Sequence, residues 1–311
     1  MIYDNVLAAV GHTPLIRLNR MSEPGAAEIL VKYEGVNIGG SIKTRVAFQM
    51  IKEAERRGDI EPGRSIIVEP TSGNQGIGLA VVCAVHGYKC RIIMPDSVSE
   101  ERRKLVRHYG AEVVIVHDEG DIGKAIDDCI QIASRMAAED PNVFVPQQFE
   151  NPDNPLTHRK HTALEIAEDA GKPIHGFVSG IGTGGTLSGV GQTLKRLYPE
   201  IEIWAVEPEN AAILSGGGIG THLQMGIGDG LIPAILDQEI YDDICIISDE
   251  EALECARELA RKEGLMCGVS SGTNVAAALR LARKLGEGKT VVTVLPDTGE
   301  RYFSTPLFDG E

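Results

Sequence analysis

A chain of 311 residues with 42% hydrophobic content and 36 glycines is long enough for two domains and too apolar for a disordered one. A formal net charge of −15, with no basic stretch to offset it, argues against nucleic acid or anionic membrane as partners. Six cysteines without a CxxC pair exclude a disulfide scaffold and a zinc site, so buried reduced thiols in a cytoplasmic protein are expected.

The start, "MIYDNVLAAVGHTPL", lacks the charged and apolar regions of a signal peptide, and the densest apolar run, "GLAVVCAVHG", is too short to span a bilayer. The first helical pattern follows "YEGVNIGGS", with Val46, Met50, Ile51 and Ala54 on one face. Ser41 reads as its N-cap, which places Lys43 in the first turn. A helix N-terminus favours anions, so Lys43 is either a solvated ammonium or an amine kept neutral and nucleophilic. Strands at 64–70, 89–95, 111–117 and 142–149 then alternate with helices at 74–87, 99–110 and 121–139. In the helix at 99–110, Arg102, Arg103, Lys104 and Arg107 read as a solvated charged face. "ENPDNPLTH" (150–158) is a proline- and asparagine-rich break that suits a domain join. Beyond it come strands at 176–181, 202–208 and 289–296, and helices at 187–198 and near 249–263 and 272–286. Residues 214–233 carry too many glycines for a helix and read as a loop over a site. The alternation predicts an α/β protein with doubly wound, largely parallel sheets.

Three strand-to-helix turns carry chemistry. In "SGIGTGGTLSGVG", Gly182, Thr183, Gly184, Gly185 and Thr186 open a helix, where free N–H groups and the dipole suit a phosphate. The same stretch supports a rival reading: Gly180, Gly182 and Gly185 spell GxGxxG, and Glu207 stands at the end of the next strand, as in a dinucleotide site. In "EPTSGNQGIG", Thr71, Ser72, Gly73, Asn74 and Gln75 offer donors for a carboxylate or phenolate oxygen, against the simpler alternative of Ser72 or Asn74 as a cap. "PQQF" places Gln148 at a strand end, and "CGVSSGT" places Ser270 and Ser271 before a helix, where capping explains one of them. His12, His108, His158, His161 and His222 are scattered without metal spacing.

Across nearly its whole length the chain resembles the cysteine synthase (O-acetylserine sulfhydrylase) family of fold type II pyridoxal-phosphate enzymes. The resemblance rests on "GHTPLIRLNR", "GGSIKTR", "EPTSGNQGIG", "QQFENPDNP", "SGIGTGGTLSGVG", "GIGDGLIP", "GVSSGT" and "GERYFSTPLF" in that order. It implies a tryptophan synthase β-subunit-like fold of two domains, 1–12 with 35–150 and 13–34 with 151–311, the second carrying the phosphate loop, with the cofactor in the cleft between them. It implies that Lys43 holds pyridoxal 5'-phosphate, that Gly182 to Thr186 cradle its phosphate, and that Asn74 and Ser270 contact the ring. Thr71, Ser72, Gly73, Gln75 and Gln148 would bind the amino-acid substrate. The implied reaction is β-replacement on a β-substituted alanine through an aminoacrylate, O-acetylserine and sulfide giving L-cysteine and acetate. A homodimer is implied, without an added regulatory domain or haem-binding extension, and docking of a serine acetyltransferase is left open. No metal is expected.

Three positions depart from the family. Asn37-Ile38 replaces its asparagine-proline, Gln75 replaces a threonine, and Asp229 stands where the family carries a small or apolar residue. By the resemblance Asp229 faces the substrate's β-carbon. A carboxylate there would repel hydrosulfide and could activate water, turning L-cysteine into L-serine and hydrogen sulfide. The simpler alternative is a loop cap turned away from the site. Readings from other classes are a non-catalytic amino-acid sensor and a nicotinamide-binding enzyme.

Overall fold

The structure is a computed structural model that describes residues 2–118 and 122–309. In chain order its strands are β1 (Leu15–Arg17), β2 (Glu28–Tyr33), β3 (Ile66–Pro70), β4 (Lys89–Pro95), β5 (Glu112–Val116), β6 (Val143–Phe144), β7 (Gly176–Gly180), β8 (Glu202–Pro208), β9 (Asp243–Ile247) and β10 (Thr290–Leu295). Its helices are α1 (Lys43–Arg57), α2 (Asn74–His86), α3 (Glu100–His108), α4 (Ile122–Glu139), α5 (Asp153–Thr157), α6 (Ala163–Ala170), α7 (Gly185–Leu197), α8 (Asp249–Glu258) and α9 (Val269–Leu285). The chain forms two compact units, one drawn from Met1–Val10 and Asn37–Asn154, the other from Gly11–Val36 and Pro155–Glu311.

The first unit is a parallel sheet in the order β5-β4-β3-β6. Successive side chains of a strand point to opposite faces. Ile67 of β3 joins Ile92, Ala47, Ile51 and Val82 in one core, while Val68 joins Ile93 and the α4 residues Cys129 and Ala133 in the other. Both faces are therefore covered, which explains the continuous apolar run of β3. Glu69 interrupts that run and is 1% exposed. The second unit is a sheet in the order β1-β2-β10-β7-β8-β9, parallel except for the β1–β2 pair. Its core gathers Val178, Val206, Leu253, Val275 and Leu281 between the sheet and helices α8 and α9.

The mixed α/β architecture with largely parallel sheets is the expected one; several elements differ in detail. The 142–149 strand shrinks to the two residues of β6. The break at 150–158 contains the division between the two units, after Asn154, and it also opens a helical stretch, α5, a π-helical turn His158–Thr162 and α6. Pro155 sits in the first turn of α5, where its missing N–H costs no intrahelical bond. Strands β1, β2 and β9 escaped the pattern reading. In β2 the reason is Lys32, a lysine in mid-strand that is 0% exposed and paired at 3.0 Å with both Glu165 and Asp169. Arg102, expected in solvent, is 6% exposed. No helix of the described residues is long and apolar enough to cross a membrane.

Candidate active site

In the first unit, Lys43 is the first residue of α1 and half-buried. Ser41 acts as expected one step early: its hydroxyl accepts the Lys43 N–H at 3.3 Å, and Ile42 occupies the cap position. α2 packs directly on this turn. A Cβ added at Gly78 would lie 2.9 Å from the Lys43 carbonyl oxygen, so only glycine lets the two helices approach so closely. α2 is itself opened by the 71–75 turn, whose strand β3 ends at Pro70.

That turn is not a capping device. Gly73 is the N-cap of α2 and no side chain caps it, so neither Ser72 nor Asn74 plays the simpler role. Ser72 is exposed, and Gln75 is 1% exposed with an amide oxygen that has no hydrogen-bond partner among the described residues. The Thr71 hydroxyl oxygen accepts the Gly73 N–H at 3.2 Å and the Gln148 side-chain amide at 3.3 Å. Both acceptor sites of the hydroxyl are engaged, which leaves its proton to be donated. Gln148 is 5% exposed and comes from the turn after β6.

Sequence reasoning missed the group that holds this turn. Glu69 accepts the backbone N–H of Gln147 at 2.9 Å on one carboxylate oxygen and that of Gln148 at 3.0 Å on the other. Burial pushes its carboxyl up to about 7, and the two N–H donors pull it back towards the ionised form. Gln147 has φ +59°, the left-handed region that a non-glycine residue enters only when held there. The available signal was the lone carboxylate in the apolar run "SIIVEP".

In the second unit, Gly182 to Thr186 join β7 to α7, and Gly184 is the N-cap with φ +77°. At such an end the first helical N–H groups have no intrahelical acceptor. A Cβ at Gly182 would lie 2.4 Å from the Gly226 carbonyl oxygen and 3.8 Å from Oδ2 of Asp229. Asp229, itself exposed, therefore stands beside the glycine turn, in a loop tied to it by the Gly228 N–H donating to the Ile181 carbonyl at 2.9 Å. As expected, residues 214–233 contain neither helix nor strand.

Two histidines read as scattered also flank this turn. His158, 1% exposed, has Nε2 at 3.4 Å from the Thr186 hydroxyl. His222 accepts the Gln224 N–H on Nδ1 at 3.2 Å, so Nε2 carries the proton and donates to the Gly228 carbonyl at 3.0 Å. Gln224 accepts from the Thr273 hydroxyl at 2.9 Å, which joins the Asp229 loop to α9. Ser270 lies inside the first turn of α9 and is 4% exposed; the cap is Gly268, so capping explains neither Ser270 nor Ser271. The dinucleotide reading loses its acidic partner: the Glu207 carboxylate accepts the N–H groups of Leu214 and Ser215 at 2.6 and 3.1 Å and the Ser215 hydroxyl at 2.9 Å. Among the described residues no group of three His, Cys, Asp or Glu side chains is placed to hold a metal.

Comparison with known proteins adds the chemistry. The family described as pyridoxal-phosphate dependent enzyme matches residues 6–297. A cysteine synthase from Staphylococcus aureus (strain Mu50 / ATCC 700699) is 49% identical over 306 residues, covering 98% of this chain and 97% of the relative. The crystal structure of an O-ureido-L-serine synthase is similar with TM-score 0.93 at 41% identity, covering 100% of this chain and 96% of the other. That of a hydrogen sulfide-producing enzyme from Fusobacterium nucleatum is similar with TM-score 0.91 at 39% identity, covering 97% and 98%.

Proposed function

We propose, since this chain belongs to the pyridoxal-phosphate-dependent enzymes of cysteine synthase type, that it catalyses β-replacement on a β-substituted L-alanine, converting O-acetyl-L-serine and sulfide to L-cysteine and acetate. The residues present suit the cofactor. The α7 turn offers the backbone N–H groups of a helix N-terminus and threonine hydroxyls to a phosphate, at a glycine turn packed so closely on the Gly226 carbonyl that a Cβ at Gly182 would not fit. Gly182, Thr183, Gly184, Gly185 and Thr186 would hold that phosphate, Asn74 and Ser270 the ring, and Lys43 the carbonyl carbon. Bound there, pyridoxal phosphate supplies an electron sink for negative charge developing at the substrate α-carbon.

The protein's own groups do the rest. Thr71 donates its hydroxyl proton to the substrate carboxylate, joined by Ser72, Gln148 and the Gln75 N–H at the start of α2, while the Gly73 N–H is held by Thr71 itself. Once the substrate amine has taken its place, the freed Lys43 amine takes the α-proton at Nζ, acetate departs from the β-carbon, sulfide adds there, and Lys43 returns the proton. The observation that carries this reading is the seating of α2 on the Lys43 turn at Gly78, because α2 also bears the carboxylate-binding turn.

A second reading rests on Asp229 beside Gly182. A carboxylate repels hydrosulfide and can take a proton from water, so water would add at the β-carbon and L-cysteine would yield L-serine and hydrogen sulfide. One experiment separates the two. Holoenzyme is given O-acetyl-L-serine with sulfide, and separately L-cysteine alone, with cysteine, serine and sulfide quantified. Cysteine from the first mixture and no serine from the second supports the synthase. Serine and sulfide from L-cysteine, lost in Asp229→Ala, supports the second reading. Undiminished turnover in Lys43→Ala would sink both.

A further inference from the structure

Glu69 is a buried carboxylate that no step above uses, and its two oxygens hold one short segment. Oε2 accepts the Gln147 N–H at 2.9 Å and Oε1 the Gln148 N–H at 3.0 Å, across 78 and 79 residues of sequence. The other side of Gln148 is also tied: its carbonyl accepts the Asn154 side-chain amide at 2.8 Å. With its backbone held on both sides, Gln148 has few directions for its side chain, and the amide reaches the Thr71 hydroxyl. Thr71 is two residues beyond Glu69, and its own N–H is fixed by the Ile93 carbonyl at 2.9 Å. The carboxylate and the hydroxyl thus present two ends of one β3 exit to the same turn.

We propose that Glu69 is a positioning residue for the amino-acid substrate: its carboxylate clasps the backbone of Gln147 and Gln148 and so sets the Gln148 amide and the Thr71 hydroxyl for the substrate carboxylate. The strained backbone of Gln147 fits this role. A left-handed glutamine relaxes to an ordinary conformation unless something retains it, and the Glu69 oxygen is bonded to its N–H. A carboxylate is the side chain suited to the task, because it accepts two N–H groups at once. A glutamine of the same length has one acceptor oxygen and would turn its amide donor towards the other N–H. The same clasp is remote from the phosphate turn in sequence and chemistry, so its loss should be felt by the amino acid and not by the cofactor.

This inference rests on the reading that Thr71 and Gln148 bind the substrate carboxylate, and the test separates the two. Steady-state constants for O-acetyl-L-serine and sulfide are measured on holoenzyme for wild type, Glu69→Gln and Gln148→Ala, with the cofactor absorption band recorded for each. In Glu69→Gln the KM for O-acetyl-L-serine should rise about tenfold or more, with kcat and the sulfide KM changed far less and the band retained. If Gln148→Ala raises that KM and Glu69→Gln does not, the Glu69 proposal is overturned and the carboxylate reading stands. If neither variant raises it, the carboxylate reading fails first and the proposal with it. A matched loss of kcat, band and both KM values in Glu69→Gln would mark a general structural role and also overturn the proposal. Should Glu69→Gln alone give no folded holoenzyme, Glu69→Asp carries the same test, because it keeps both acceptor oxygens but draws them back from the Gln147 and Gln148 N–H groups by one methylene.

Discussion

Gln148 donates its side-chain amide to the Thr71 hydroxyl at 3.3 Å although 77 positions separate them in the chain. The bond joins the exit of β3 to the turn after β6, neighbouring strands of one sheet. It also consumes a lone pair of Thr71, and with the Gly73 N–H on the same oxygen the hydroxyl is turned from acceptor into donor.

Removing that hydroxyl should therefore cost more than one hydrogen bond. Thr71→Val keeps shape and leaves the Gly73 N–H and the Gln148 amide without their acceptor. We expect a KM for O-acetyl-L-serine raised about tenfold or more, and a stability loss of about 1–3 kcal/mol. Steady-state kinetics and chemical denaturation of the same preparation check both. An unchanged KM would remove Thr71 from the substrate site.

Gly182→Ala tests the phosphate cradle. The added methyl would meet the Gly226 carbonyl oxygen at 2.4 Å, so either the glycine turn or the Asp229 loop must shift. Affinity for pyridoxal phosphate, read by titrating apoprotein and following the absorption band, should fall about tenfold or more, since the phosphate contacts depend on placement of backbone N–H groups. Full retention of affinity would locate the phosphate elsewhere.

Glu69 sets a pH dependence of stability. Its carboxyl in the folded protein is raised by burial to about 7, above its ordinary value of 4.5. The folded state therefore holds a proton that the unfolded state has released between those values. The stabilising contribution is full below about 4.5 and is lost as pH rises to about 7, by roughly 3 kcal/mol at about 1.4 kcal/mol per pKa unit. Glu69→Gln lacks this titration. The difference in unfolding free energy between variant and wild type, followed from pH 5 to pH 8 by denaturant midpoints, should move in the variant's favour as pH rises. A flat difference would mean that Glu69 titrates in its ordinary range. The clasp is best formed by the ionised carboxylate, so the protein holds its substrate turn in the state that the fold favours less, a conflict expected at functional sites.

The features legible in the residues alone are local. Apolar periodicity marks α1 and α7, and glycine-rich turns announce the N-termini of α2, α7 and α9, because such signals come from residues within a turn or two of one another. The family motifs likewise determine the cofactor, since each is a contiguous run. Which distant groups meet is settled by the folded chain. Asp229 is set beside Gly182 by the bond from Gly228 to Ile181, Lys32 is accepted in mid-strand because Glu165 and Asp169 neutralise it, and Glu69 clasps Gln147 and Gln148. Pattern reading assigns a charged residue to solvent because an unpaired buried charge is costly. Its partner is delivered by strand order and chain crossing, and neither leaves a mark in the residues next to it.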